Sequence, residues 1–195
     1  MLDLNQFTHT EKPEYTPIPD NTILWARCFP ERPQQNGCNF DDVSGWYFKW
    51  PDDHLVKLKF KFQILFGKDQ DTKYSNRFLF NDLCVGSITP NAVPENHTKL
   101  LNIHGRQLVN LINEKLGLDP KDKSVETNQK RMIADPSDFT ADVCIKVNTY
   151  GSQDKIRNGC FIMSIYDKGY INSKGKPYVK PSESLVSSAG DEIPF

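Results

Sequence analysis

Residues 54–67, HLVKLKFKFQILFG, carry the sharpest hydrophobic pattern in the chain: Val56, Leu58, Phe60, Phe62 and Ile64 alternate with Lys57, Lys59, Lys61 and Gln63. A period of two sends the two sets to opposite faces, so the segment is predicted to be a half-buried strand, apolar inside and basic outside. A turn follows at KDQDTK, and YSNRFLFNDLCV (74–85) reads as the antiparallel partner. Upstream, NTILWARCF (21–29) has the β-branched and aromatic content of a strand, and a loop rich in Pro, Gly and Asn leads from it to WYFKW (46–50). Between 96 and 116 the period becomes helical, with Leu101, Leu108, Ile112 and Leu116 on one face and a Gly-then-Pro stop in LGLDP. Gly105 weakens that helix by about 1 kcal/mol relative to Ala, which predicts that its firm part begins after residue 105. ADVCIKVNTYG (141–151) and CFIMSIYD (160–167) form a second strand pair.

This order predicts a mainly β protein with one helix. Five strands with the helix between the third and fourth is the element order of an OB-fold-like five-stranded antiparallel barrel; a small β-sandwich with an inserted helix is the alternative. The first twenty residues hold three prolines and no sustained period, so 1–20 reads as an extended arm. Residues 21–168 form the barrel domain. From 169 the composition turns to Gly, Lys, Ser and Pro, which bury too little apolar surface to offset chain entropy, and 169–195 reads as a flexible tail.

At 195 residues and 37% hydrophobic, the chain can bury one ordinary core. Its start, MLDLNQFTHTEKPEY, lacks the basic-then-apolar layout of a signal peptide, and no apolar run is long enough to span a bilayer, so a cytoplasmic protein without membrane contact is expected. Five widely spaced cysteines with no CxxC pair fit reduced thiols better than a disulfide framework or a zinc knuckle. No metal and no cofactor is expected. The P-loop, HExxH, GxSxG and GxGxxG signatures are absent, and a non-enzyme is the expectation. The compact cluster Asp52, Asp53 and His54 is the one candidate divalent-ion site, which would make the protein a metal-dependent nuclease; such a cluster at a strand edge is far more often a solvated turn.

The net charge of −1 conceals a separation along the chain. Residues 54–80 hold six basic side chains (Lys57, Lys59, Lys61, Lys68, Lys73, Arg77) against two acidic ones (Asp69, Asp71). Single-stranded nucleic acid is held by a cationic groove along the phosphates and by aromatic rings on which bases stack. Lys57, Lys59, Lys61 and Arg77 are therefore candidate phosphate ligands, with Trp46, Tyr47, Trp50 and Tyr74 as candidate stacking rings. Lysines on an exposed strand face also serve solubility and edge protection, and large rings ordinarily go inside. Strand alternation nonetheless predicts that at least one of Trp46, Tyr47 and Trp50 faces outward.

The final residues, Asp191, Glu192, Ile193, Pro194 and Phe195, combine acids, an apolar step, a rigid proline and a terminal ring with its carboxylate. They suit a partner pocket with an apolar floor and a basic rim. DEIPF resembles the acidic C-terminal tip of bacterial single-stranded-DNA-binding proteins, in which an OB-fold holds the strand and the tip docks onto proteins of replication, recombination and repair. One Asp and one Glu stand here where that family usually has a longer acidic run. YTPIPDNTILWARC, YSNRFLF, LVNLINEKLGLDP, ADVCIKVNTYG and CFIMSIYD resemble a family of phage-encoded proteins proposed to bind single-stranded DNA. The resemblance implies a phage or mobile-element protein that coats single-stranded DNA in the cytoplasm of a bacterial host and recruits host or phage proteins through its tip. A protein that imitates the tip without touching DNA is a further alternative. Whether the chain forms a homo-oligomer is left open by its sequence.

Overall fold

The computed structural model of the protein describes residues 16–33, 44–49, 54–117, 130, 133–152 and 155–179. It is mainly β, with one long helix and one six-stranded antiparallel sheet. The strands are β1 (Ile23–Glu31), β2 (Tyr47–Phe48), β3 (Leu55–Gly67), β4 (Phe78–Ser87), β5 (Ala141–Tyr150) and β6 (Arg157–Ile162), and the helix α1 (Glu95–Leu116) lies between β4 and β5.

Strand β3 organises the sheet. One edge pairs with β4 from Leu55↔Ser87 to Gln63↔Phe78. The other pairs with β1 from Glu31↔Lys59 to Leu24↔Gly67, and β2 continues that edge at Tyr47↔Leu58 and Phe48↔Lys57. β1 pairs in turn with β5, and β5 with β6. Apart from β2, the sheet order is therefore β4–β3–β1–β5–β6. The two outer strands approach each other, where the Asn81 side-chain amide donates to the Cys160 carbonyl at 2.7 Å. Among the described residues no backbone ladder joins β4 to β6, so the expected mainly β fold with one helix is present, while the OB-fold-like five-stranded barrel is corrected to a six-stranded sheet that does not close.

The alternation of β3 is realised at Leu58, Phe60, Phe62 and Ile64, all at 0% exposure. It fails at Val56. The register shifts between Val56 and Lys57, where β4 carries the extra residue Val85, and Leu55 rather than Val56 is buried. The core is completed by Cys28, Leu79, Leu83, Val143, Val147 and Ile162, with Leu108, Leu111 and Ile112 of α1 packed against it. Phe139 enters from the loop before β5, its ring edge-on to Phe60 at 5.7 Å.

Helix α1 runs unbroken through Gly105, contrary to the expectation of a start beyond it. Packing of the apolar face outweighs about 1 kcal/mol of propensity. Gly117 ends the helix in the left-handed region (φ 61°), its N–H bonded to the Asn113 carbonyl. Gln107 and Asn110 dock the helix on β6: the first accepts from the Ile162 N–H at 3.0 Å, the second donates to the Ile162 carbonyl at 3.0 Å.

Residues 170–179 belong to the domain, which moves the boundary expected at 169. Tyr170 and Ile171 are 4% and 2% exposed and cover the outer face of β1 and β5, where they bury Trp25, Cys144 and Met163. The Tyr170 ring meets Trp25 edge-on at 6.0 Å, and its hydroxyl donates to Glu114 of α1. Two apolar side chains anchor a segment whose average composition is that of a linker. At the other terminus, the described part of the arm is also docked, with Ile18 1% exposed. Among the described residues no helix is long and apolar enough to cross a membrane.

Candidate nucleic-acid interface

The gap between β4 and β6 opens outward into a groove of about 790 Å³. Cross-strand pairing decides what faces it. Lys59 lies opposite Asp82, and Lys61 opposite Phe80, on the outer face of β3 and β4. On the other bank Asn148 lies opposite Gly159, and Lys146 opposite Phe161, on the outer face of β5 and β6. Lys59, Phe80 and Asp82 line one side of the groove and Tyr150 and Phe161 the other, with His104 of α1 among the lining residues.

The rings are exposed: Phe78 46%, Phe80 46%, Tyr150 52% and Phe161 38%. Two carry an ammonium over their faces, Lys61 at 4.2 Å from the Phe78 centroid and Lys59 at 5.4 Å from that of Phe80. Lys59 also bridges to Glu31 across the strand pair at 3.0 Å. The place of Tyr150 depends on a missing side chain. A Cβ at Gly159 would stand 3.0 Å from Asn148 Oδ1 and 3.3 Å from Tyr150 Cε1, so the ring lies over the glycine where a larger residue would displace it.

Two ionisable groups in the groove are displaced from their ordinary behaviour. Burial pushes the Asp82 carboxyl above the usual range, with Lys57 and Lys59 opposing the shift and Glu31 adding to it. Burial, aided by Lys57, lowers His104, whose Nδ1 accepts from the Cys84 backbone N–H at 2.8 Å. That bond requires an unprotonated Nδ1, so the imidazole is held neutral. Among the described residues no group of three His, Cys, Asp or Glu side chains is placed to hold a metal ion.

The structure brings only part of the sequence-derived set together. Lys57, Lys59 and Lys61 share the outer face of β3. Trp46 and Tyr47 are partly buried against the core; the Arg32 guanidinium lies 4.8 Å over Trp46, and the Tyr47 hydroxyl donates to the Ile133 carbonyl. Tyr74 packs on the core in the turn after β3, flanked by Lys73 and Arg77. Arg77 donates to the Thr16 carbonyl at 2.7 Å and so ties down the arm. Tyr74 lies past the end of β3 remote from Lys57, whose separation from Gly67 is roughly 33 Å along the strand. Trp50, Asp52, Asp53 and residues 191–195 lie outside the described residues.

Sequence reasoning missed Phe78, Phe80, Tyr150 and Phe161. Three successive apolar residues, Phe78, Leu79 and Phe80, give no polar marker of which face is inside. The available signal was the lysine stripe itself: whichever residues pair with Lys61 and Gln63 must face outward with them. No protein-family model, no curated protein and no solved structure matches the chain.

Proposed function

We propose that the protein binds single-stranded DNA along this groove, coating it during replication or recombination of a phage or mobile element in the cytoplasm of a bacterial host. The observation that carries this reading is one outer face on which Lys57, Lys59 and Lys61 of β3 lie beside Phe78 and Phe80 of β4, with Lys61 directly opposite Phe80, next to a groove that adds Tyr150 and Phe161. Cationic track and ring faces are the two elements that sequence-tolerant binding of single strands requires. Duplex DNA offers only the phosphates, since its bases are already stacked on each other.

The cation–ring contacts suit an exchange on binding. An exposed ammonium over a ring is worth about 0.5–1 kcal/mol, whereas a base stacked on a ring is worth about 1–3 kcal/mol. An arriving phosphate draws the lysine off the ring, and the vacated face takes the base. The acidic tip, Asp191, Glu192, Ile193, Pro194 and Phe195, would recruit replication or recombination proteins to the coated strand, its carboxylates meeting a basic rim and Phe195 filling a pocket.

Anisotropy of a fluorescein-labelled oligonucleotide, titrated at several salt concentrations, tests the proposal. Tight binding to the single strand, weaker binding to the duplex and affinity falling linearly in log–log form with salt are expected. Equal indifference to both nucleic acids ends the reading. A strand cut in the presence of Mg²⁺ would point instead to a nuclease at Asp52, Asp53 and His54, and partner capture without DNA binding to a tip-mimicking protein. Removal of residues 191–195 should leave DNA binding intact and abolish partner capture.

A further inference from the structure

A carboxylate in a groove built for phosphates needs a reason. Asp82 lies on the outer face of β4, two residues from Phe80, so carboxylate and ring are neighbours on one strand face, roughly 7 Å apart along it. The cations near it, Lys57 and Lys59, favour its charged form, and burial outweighs them. Its cross-strand neighbour Lys59 is engaged by Glu31 at 3.0 Å. Half-buried carboxylates are costly to leave without donors, and burial accordingly raises the Asp82 carboxyl above its ordinary range. An anion at this point repels the backbone of a nucleic acid, so any ligand atom that faces it must be a donor.

We infer that Asp82 reads the Watson–Crick edge of a base stacked on Phe80, favouring guanine and disfavouring thymine. This deepens the single-stranded-DNA reading and rests on it. Guanine presents N1–H and the N2 amino group side by side, which matches the two oxygens of a carboxylate in a charge-assisted, bidentate pair. Cytosine and adenine offer an amino group beside a ring-nitrogen acceptor and make one such bond. Thymine presents a single N–H flanked by two carbonyl oxygens, both of which repel Asp82. The groove thus grades the bases, with the stacking ring tolerant of all and the carboxylate selective.

The test compares fluorescein-labelled oligonucleotides of equal length, one all thymidine and one of repeated TTG, on the intact protein and on Asp82→Asn. A good bidentate pair discriminates by at least about fivefold, so the wild type should bind the TTG strand at least that much more tightly. Asp82→Asn should lose the difference, because its amide presents one acceptor and one donor. Circular dichroism melting of the variant shows that it is folded. Equal binding of the two strands by the wild type, or a preference that survives in Asp82→Asn, overturns the inference and leaves the single-strand reading standing. Failure to bind either strand overturns both.

Discussion

Asn158 on β6 holds Ile18 of the N-terminal arm by both of its backbone polar groups: its Oδ1 accepts from the Ile18 N–H and its Nδ2 donates to the Ile18 carbonyl, each at 2.8 Å. The amide imitates a strand partner for a segment 140 residues away in the chain. Both residues are buried, so water does not compete for the bonds. Asn158→Ala leaves two buried backbone groups without partners, at about 1–3 kcal/mol each. A fall of roughly 2–4 kcal/mol in stability by urea denaturation is expected. A loss below 0.5 kcal/mol would show that the arm is not held this way.

Phe80→Ala and Phe161→Ala separate binding from folding. Both rings are substantially exposed and lie outside the core, so thermal stability should change little, while single-strand affinity should fall by about 1–3 kcal/mol for each base that loses its platform. Trp46→Ala and Tyr74→Ala should do the reverse, since both rings pack on the core. Titration and melting of the four variants check the division. Equal affinity losses across all four would remove the distinction between groove and core.

Lys59 and Lys61 should act through salt. Each lysine that neutralises a phosphate contributes about 0.7 to the slope of log affinity against log salt on single strands. Replacing Lys61 with Gln should flatten the slope by about 0.7, and replacing Lys59 by less, because Glu31 already offsets its charge; both changes should weaken all sequences alike. Arg77→Gln should leave the slope unchanged, because its guanidinium is committed to the Thr16 carbonyl. A slope that responds to Arg77 and ignores the lysines would relocate the phosphate track.

His104 should make stability fall in mild acid. Its folded value lies below the ordinary 6.5 because of burial and Lys57, so the fold favours the neutral ring. Between 6.5 and that lower value the unfolded chain takes up a proton that the folded chain does not, and stability drops as pH falls through the window. Above 6.5 the contribution is fully present. His104→Gln removes the titration, so the stability difference between variant and wild type should shift in the variant's favour from pH 7.5 to pH 5. A pH-independent difference would show that the bond to Cys84 N–H does not govern protonation.

Local order along the chain is legible wherever one residue type repeats with a backbone period. Leu58, Phe60, Phe62 and Ile64 are inside and Lys59 and Lys61 outside because a strand has a period of two, a property of the backbone itself. The existence and C-terminal end of α1 follow in the same way from its helical repeat and Gly stop, though not its firm start before Gly105, and the mainly β composition with one helix follows from both. The sequence by itself thus determined the long strands, the helix between β4 and β5, and the basic stripe, but not the short β2.

Only tertiary structure decided which rings share that stripe's face. Phe78 and Phe80 are outward because they pair with Gln63 and Lys61, and the β3–β4 register, with its bulge at Val85, rests on contacts that no local window contains. Tyr150 joins the groove because Gly159, on another strand, leaves room for its ring. Tyr170 and Ile171 are core residues because Trp25 and Cys144 present an apolar face for them to cover. Periodicity is written residue by residue, whereas register and coverage arise from which distant segments meet, and the candidate site is made almost entirely of the latter.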